Sequence, residues 1–435
     1  MDAEMASWKS TGTYVDEVPP PGANIVDGMW IFRVKRPPGS LPALKARYVA
    51  GGFSQRHGVD YFESFSPTPK MTTLRVLLHV AAQQDYELQS LDFSTAFLEG
   101  SLLEEIWLRH PPGFTESFTT GTQWSLRRPV YGLRQAPREW HDTVRTTLAA
   151  LGFAPATADP SLFLRMDTLL PPFYILVYVD NLVFATADTE ALTLVKSELQ
   201  KRHTCTDLGE LRSYLGLQIT RDRAHRAITL THHSLSAPPS DESVEPSGPY
   251  PELVGCLITS GMGLVLGGRG PVVLTSHADV SWVDNSAILR SSQGYTFSLG
   301  SGSVSWQSTR SSSVLSSSCE AEIYAGAMAA QELRWLTYLL TDLVEQPLSP
   351  PVLYVDNKAM IALCQEHRLE HRTKYIALRY FLARELQQCG QLRLAYVATR
   401  ANTADVFTKA LPPGDHQRFA TVLGLVPTLL DLLTA

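Results

Sequence analysis

The chain has 435 residues, enough for about three domains at ~150 residues each. Apolar residues make up 44% and charged residues 18%, which excludes a wholly disordered acidic or basic chain. Net charge is −6, from 37 Lys and Arg against 43 Asp and Glu. That balance argues against a passive DNA-coating protein and leaves room for an enzyme with a basic channel. Five scattered cysteines without a CxxC pair predict neither zinc knuckles nor a disulfide framework. The default is a reducing intracellular setting, cytoplasmic or nuclear. Apolar stretches fall far short of the ~20 residues of a membrane span, and the start shows no secretory pattern, so no membrane partner is expected.

In chain order, residues 1–28 are polar with a Val18-Pro-Pro-Pro-Gly22 break and read as an irregular entry. Trp30, Phe32 and Val34 then alternate with Ile31, Arg33 and Lys35. With Ala46–Ala50 after a Pro37-Pro38-Gly39 turn, they predict a hairpin basic on one side. Leu74, Leu77, Leu78 and Ala81 give a helical stripe, followed by a short strand Leu88–Leu91 leading into Asp92. A second helix starts at Pro137 and buries Trp140, Val144 and Leu148. Two apolar strands, Tyr174–Val179 and Leu182–Ala185, flank Asp180-Asn181, and a third helix begins near Thr189. Residues 234–250 have the composition of a tether and residues 261–270 are Gly-rich. From about 272 follow a strand, hairpin strands around Gly294–Trp306, a long helix near Cys319–Leu343, then strand, helix and strand. The mixture predicts an α+β chain.

Locally, Asp180 reads as a hairpin turn residue and Asp92 as a strand end or cap. Delivered to one point, the two would make a site for phosphoryl transfer, because Mg²⁺ takes hard oxygen ligands. Two such ions ~3.5–4 Å apart activate the attacking oxygen and stabilise the leaving one. Spacing alone does not decide between these readings.

Eight words in register decide the matter by resemblance. They are Trp30-Ile-Phe-Arg-Val-Lys, Lys45-Ala-Arg-Tyr-Val-Ala-Gly-Gly-Phe, Asp60-Tyr-Phe-Glu-Ser-Phe-Ser-Pro, Leu91-Asp-Phe-Ser-Thr-Ala-Phe-Leu-Glu-Gly, Pro111-Pro-Gly-Phe, Tyr131-Gly-Leu-Arg-Gln-Ala-Pro-Arg-Glu-Trp, Tyr178-Val-Asp-Asn and Asp207-Leu-Gly-Glu-Leu-Arg-Ser-Tyr-Leu-Gly. The chain resembles the reverse transcriptase and ribonuclease H region of copia-type LTR retrotransposons. The resemblance implies right-hand polymerase fingers and palm with Asp92 and Asp180 as the metal-binding pair. It implies Arg47, and less strongly Lys45, at the phosphates of the incoming nucleotide. Phe97 would be the gate against a ribose 2′-hydroxyl, and Gln135 a brace for nucleotide and template. The family's palm turn ends in Asp-Asp, whereas Asn181 stands here, so weakened metal affinity is expected.

A second block continues the resemblance into a ribonuclease H. Its words include Ser276-His-Ala-Asp, Ser317-Ser-Cys-Glu-Ala-Glu, Leu353-Tyr-Val-Asp-Asn-Lys-Ala, His371-Arg-Thr-Lys and Tyr396-Val-Ala-Thr-Arg-Ala-Asn-Thr-Ala-Asp-Val-Phe-Thr-Lys. Glu322, Asp356 and Asp405 correspond to three of four carboxylate ligands. His277 stands in the place of the first. Asp279 lies two residues on, ~6.5–7 Å along a strand, and is the possible substitute, so impaired hybrid cleavage is expected. Imidazole serves Mg²⁺ less well than carboxylate does. About 56 residues separate Thr220 from His277, with Tyr250-Pro-Glu-Leu-Val-Gly as a remnant of a shortened thumb and connection.

The expected architecture is thus an irregular segment 1–28, fingers and palm 29–232, a thumb or connection remnant and linker 233–270, an α/β ribonuclease H-like domain 271–412, and a tail 413–435. The expected function is RNA-directed DNA polymerisation with hydrolysis of the RNA strand, degenerate in part. It would use two Mg²⁺ or Mn²⁺ per site, an RNA template, a DNA primer, an RNA–DNA hybrid and deoxynucleoside triphosphates. The alternative is an inactive relic that at most binds nucleic acid. A third reading keeps ribonuclease H activity alone, with fingers and palm as a docking module.

Overall fold

A computed structural model describes residues 1–35, 42–113, 118–167, 169–232, 262–285, 290–300, 302–312, 314–315, 317–344, 350–365 and 382–427. The Pro37–Gly39 turn, the 234–250 tether, the 250–255 remnant and the His371–Lys374 word lie outside them.

The segment expected to be irregular is ordered. Asp2–Ser10 forms helix α1, followed by strands β1 (Tyr14–Glu17) and β2 (Ile25–Val26). Met5 and Trp8, three apart on α1, are buried, and Trp8 is 0% exposed. Its ring lies 5.8 Å from that of Tyr48 and 5.6 Å from that of Trp124. Those partners come from far along the chain, so local composition could not reveal them.

Strands β3 (Gly28–Lys35) and β4 (Ala43–Ala50) form the predicted hairpin. Its register pairs Ile31 with Arg47 and Arg33 with Lys45, which keeps the cations on one face. Helix α2 (Met71–Gln84) follows, then β5 (Glu87–Phe93), β6 (Ile106–Leu108), β7 (Gln123–Leu126) and helix α3 (Ala136–Ala150). Next come β8 (Ala154–Pro155), β9 (Leu162–Arg165), β10 (Phe173–Tyr178), β11 (Asn181–Thr186), helix α4 (Thr189–Arg202) and β12 (Cys205–Glu210). Strands β12-β5-β11-β10-β9-β8 make the palm sheet. Strands β1-β7-β6-β2 make a smaller one beside it.

Parts of the expected linker and tail are strands. β13 (Ser213–Tyr214), β14 (Leu217–Asp222), β15 (Ala227–His232) and β16 (Met262–Gly267) share one sheet with a C-terminal strand, Leu425–Pro427. That sheet joins residues assigned from sequence to palm, remnant and tail. The Gly-rich run read as irregular because glycine usually weakens strands. Here a Cβ on Gly263 would meet Thr229 Cγ2 at 2.7 Å, so glycine permits close strand approach.

The C-terminal unit begins with an antiparallel meander, β17 (Leu274–Asn285), β18 (Arg290–Leu299) and β19 (Gly302–Arg310). The long helix α5 (Ser318–Leu343) starts with the Ser317 hydroxyl accepting from Glu320 N–H. Strands β20 (Val352–Val355) and β21 (Arg393–Tyr396) then add in parallel, giving the order β19-β18-β17-β20-β21. This is the mixed α/β unit expected after the palm.

Helix α2 is apolar nearly all round: Leu74, Val76, Leu77, Leu78, Val80 and Ala81 are all buried. A helix of that kind must be covered on both faces. The palm covers one face and the C-terminal unit the other, within one continuous core. The Arg75 guanidinium stacks 3.9 Å from the Trp306 ring and donates to Val304 O at 3.2 Å. Trp335 Nε1 donates to Ala158 O at 2.8 Å, and Tyr174 OH donates to Leu343 O at 2.9 Å. His79 Nδ1 accepts from Gly267 N–H at 3.0 Å.

Candidate active sites

The palm site is built by the β10–β11 hairpin and the end of β5. Tyr178 pairs with Asn181 across a two-residue turn, Val179-Asp180. Val179 has φ of 51°, a left-handed conformation costly for a β-branched residue. The turn reading of Asp180 holds, and the turn sets its carboxylate at the strand end. Asn181 is the register partner of Asp92, and Asp180 O accepts from Phe93 N–H at 2.7 Å. Asp92, Asp180 and Asn181 are all half-buried at this edge. Asn181 Nδ2 donates to Asp180 Oδ1 at 3.0 Å. The amide thus occupies one carboxylate oxygen and adds no charge.

Around this edge sit the nucleotide candidates. Arg47 stacks 4.2 Å from the centroid of Tyr131, and Phe97 packs edge-on to the same ring at 4.7 Å. Burial pushes the Tyr131 hydroxyl pKa up; Arg47 opposes this, and Asp180, Glu4 and Asp92 add to it. Tyr131 therefore lies within the field of both aspartates and of Arg47. Burial likewise raises the Glu4 carboxyl, against the pull of Arg47 and Lys45. Sequence reasoning passed over both residues: Tyr131 stood in a quoted word, and Glu4 stood in the stretch taken for irregular.

Gln135 needs a correction. It is fully buried, its Nε2 donates to Asp60 O at 2.8 Å, and its Oε1 accepts from Gln55 Nε2 at 3.0 Å. Its amide is hydrogen-bonded inside the protein, where the resemblance implied contact with nucleotide and template.

The C-terminal site gathers more charge. Asp279 on β17, Glu322 on α5 and Asp356 after β20 each bring a carboxylate oxygen within 4.8 Å of the others. Among the described residues they are the one such trio of acidic, His or Cys ligands. Asp405, in a short 3₁₀ turn (Thr403–Phe407), joins through Lys409. Lys409 Nζ donates to Asp279 Oδ1 at 3.1 Å and to Asp405 Oδ1 at 3.0 Å. Thr408 Oγ1 donates to Asp279 Oδ2, and Thr399 Oγ1 donates to Asp356 Oδ2 at 2.8 Å. Glu322 Oε2 is buried with no hydrogen-bond partner among the described residues.

Burial, then Asp279 and Asp356, push the Glu322 pKa up to about 9. Burial and Asp279 raise that of Asp405 to about 7. A partnerless buried oxygen amid crowded carboxylates suits a hard divalent cation. The palm pair, with an amide in third place, fits one less well.

The register corrects the expectation for His277. In the parallel pair β17–β20, His277 stands beside Tyr354, and their rings stack 5.3 Å apart. Two steps further along both strands, Asp279 comes abreast of Asp356. The two-residue offset that counted against Asp279 is matched on the neighbouring strand. His277 takes no part in the cluster, and burial lowers its pKa to about 4. Asp279 thus offers the cluster a carboxylate where His277 offers none.

A family model described as reverse transcriptase (RNA-dependent DNA polymerase) matches residues 13–236, just over half of the chain. The chain belongs to the reverse transcriptase family. The chain is 31% identical, over 94% of its length, to the Retrovirus-related Pol polyproteins from transposons RE2 and RE1 of Arabidopsis thaliana. It is 28% identical over 98% of its length to that from transposon TNT 1-94 of Nicotiana tabacum. The chain spans about a third of the length of each of these relatives, 32%, 32% and 37%. Among solved structures, a foamy viral protease–reverse transcriptase in complex with double-stranded DNA aligns at 12% identity and a TM-score of 0.44. That alignment covers 93% of this chain and 68% of the other. Ribonuclease H1 from Halobacterium salinarum aligns at 14% identity and a TM-score of 0.24, covering 31% of this chain and 93% of the other. No helix among the described residues is long and apolar enough to cross a membrane.

Proposed function

We propose that the C-terminal site hydrolyses the RNA strand of an RNA–DNA hybrid, using Mg²⁺ or Mn²⁺ held by Asp279, Glu322, Asp356 and Asp405. The observation that carries this reading is the convergence of three carboxylates within 4.8 Å. When bound, divalent cations supply an activated water and offset charge on the leaving oxygen. The chain's own task is to hold the ligands. Thr408 orients Asp279, Thr399 orients Asp356, and Lys409 ties Asp405 to Asp279. The deciding test is cleavage of a labelled hybrid by the full chain beside Asp356→Asn. A folded wild-type chain inert in both metals would overturn the reading.

The palm, in the same reading, is the nucleotidyl-transfer site for an RNA template and DNA primer, with Asp92 and Asp180 as ligands. Arg47 meets the triphosphate, helped by Lys45, and Phe97 sets the sugar gate. The Asn181–Asp180 hydrogen bond favours a second reading for this half: a palm that binds primer–template and extends it slowly or not at all. Primer extension by Asn181→Asp separates the two. A large gain marks a palm limited by one ligand, and no gain marks a relic.

A further inference from the structure

We propose that Lys409 is the resident cation of the metal-free C-terminal site and that a divalent ion must displace it. The inference rests on the metal reading above and adds a competitor to it. Both oxygens of Asp279 are engaged: Oδ1 accepts from Lys409 Nζ at 3.1 Å, and Oδ2 accepts from Thr408. An ion that approaches Oδ1 therefore meets the Lys409 ammonium there, and the two like charges compete for one oxygen. The same ammonium reaches Asp405 Oδ1 at 3.0 Å, so one group clamps two carboxylates from separate elements.

The exposures show which partner can leave. The Asp279 and Asp405 side chains are 1% and 6% exposed, whereas that of Lys409 is 31% exposed. The carboxylates are fixed in the core. The lysine stem is long and flexible and can carry its charge into water. Without an ammonium or a metal ion, Asp279 and Asp405 would be left buried and uncompensated, a strongly destabilising state. Lys409 thus keeps the metal-free protein folded, and the same contacts lower its affinity for the ion it awaits.

Three measurements on the full chain test this. The first uses the wild type alone: reductive methylation of lysines, read by peptide mass spectrometry, in EDTA and in saturating Mg²⁺. Lys409 should react slowly in EDTA and about tenfold faster with Mg²⁺. Lys201 is exposed and should be fast in both conditions; Lys196, buried against Asp207, should be slow in both. The second is Mn²⁺ titration calorimetry. Lys409→Met should bind about tenfold more tightly than wild type, and Glu322→Gln should lose the C-terminal ion. The third is thermal unfolding: Lys409→Met should be destabilised in EDTA and recover in Mg²⁺, while Lys409→Arg stays near wild type.

Unchanged Lys409 labelling while Glu322→Gln loses an ion would overturn the displacement alone. If neither wild type nor Lys409→Met binds an ion that Glu322→Gln fails to bind, the metal reading falls and the proposal falls with it.

Discussion

The two candidate sites use one device, acidic residues at the ends of neighbouring strands, and differ in how the charge is balanced. In the palm, Asp92 and Asp180 face an amide, and Asn181 hydrogen-bonds Asp180 directly. In the C-terminal unit, Asp279, Glu322 and Asp356 converge, Asp405 joins them through Lys409, and Lys409 offsets part of the charge. In the palm the amide of Asn181 stands beside the two carboxylates and adds no charge. In the C-terminal site burial, with the neighbouring carboxylates adding to it, raises Glu322 to about 9 and Asp405 to about 7. Crowded carboxylates of that kind suit a divalent cation, and the palm pair offers fewer of them.

The largest effect should come from emptying the crowded site. Glu322→Gln should lower hybrid cleavage by about 10²–10³-fold, the scale of removing one electrostatic contact from an active site. Primer extension by the same variant should be unchanged. Loss of both activities together would show that the sites are not independent.

Next is the joint between the halves. Burial holds the His79 pKa down at about 4, against an ordinary value of 6.5. The unfolded chain therefore binds this proton first. Its contribution is complete above about pH 6.5 and is lost as pH falls toward 4, by up to roughly 3 kcal/mol. Urea unfolding between pH 7 and 4 should show this loss, and His79→Gln should flatten it. Because α2 sits in the one core that joins palm residues to the C-terminal unit, the transition should move as one; two separating transitions would break that picture.

Asn181→Asp should raise primer extension about tenfold, equivalent to 1.36 kcal/mol of barrier. It should also lower the melting temperature in EDTA, since two carboxylates would then face each other. A gain in activity without that cost would mean Asn181 was not relieving repulsion. The smallest expected change is Tyr174→Phe, which removes the hydroxyl donated to Leu343 O. It should cost about 1 kcal/mol in urea unfolding and leave both active sites untouched.

Much of this was legible in the sequence, and the gaps have physical causes. The stripe Leu74, Leu77, Leu78, Ala81 marked α2, but Val76 and Val80 on the other side already implied a second cover. The β10–β11 hairpin and Asp180 at its turn were plain from two apolar strands. Trp8 was hidden because its partners Tyr48 and Trp124 are distant in sequence. Asp279 was undervalued because an offset along one strand was judged without its neighbour, and only the register with β20 shows Asp356 abreast of it. Lys409 stood in a quoted word, yet its charge acts through two aspartates far apart in the chain. Residues whose role depends on long-range pairing leave little local trace.

The most direct test of the account is a Mg²⁺ titration of the full chain, with hybrid cleavage and primer extension measured in parallel. The account predicts cleavage that saturates with Mg²⁺ and vanishes in Glu322→Gln, beside extension that is weak until Asn181 is replaced by aspartate. Strong extension from the wild type, with no hybrid cleavage at any Mg²⁺ concentration, would contradict it.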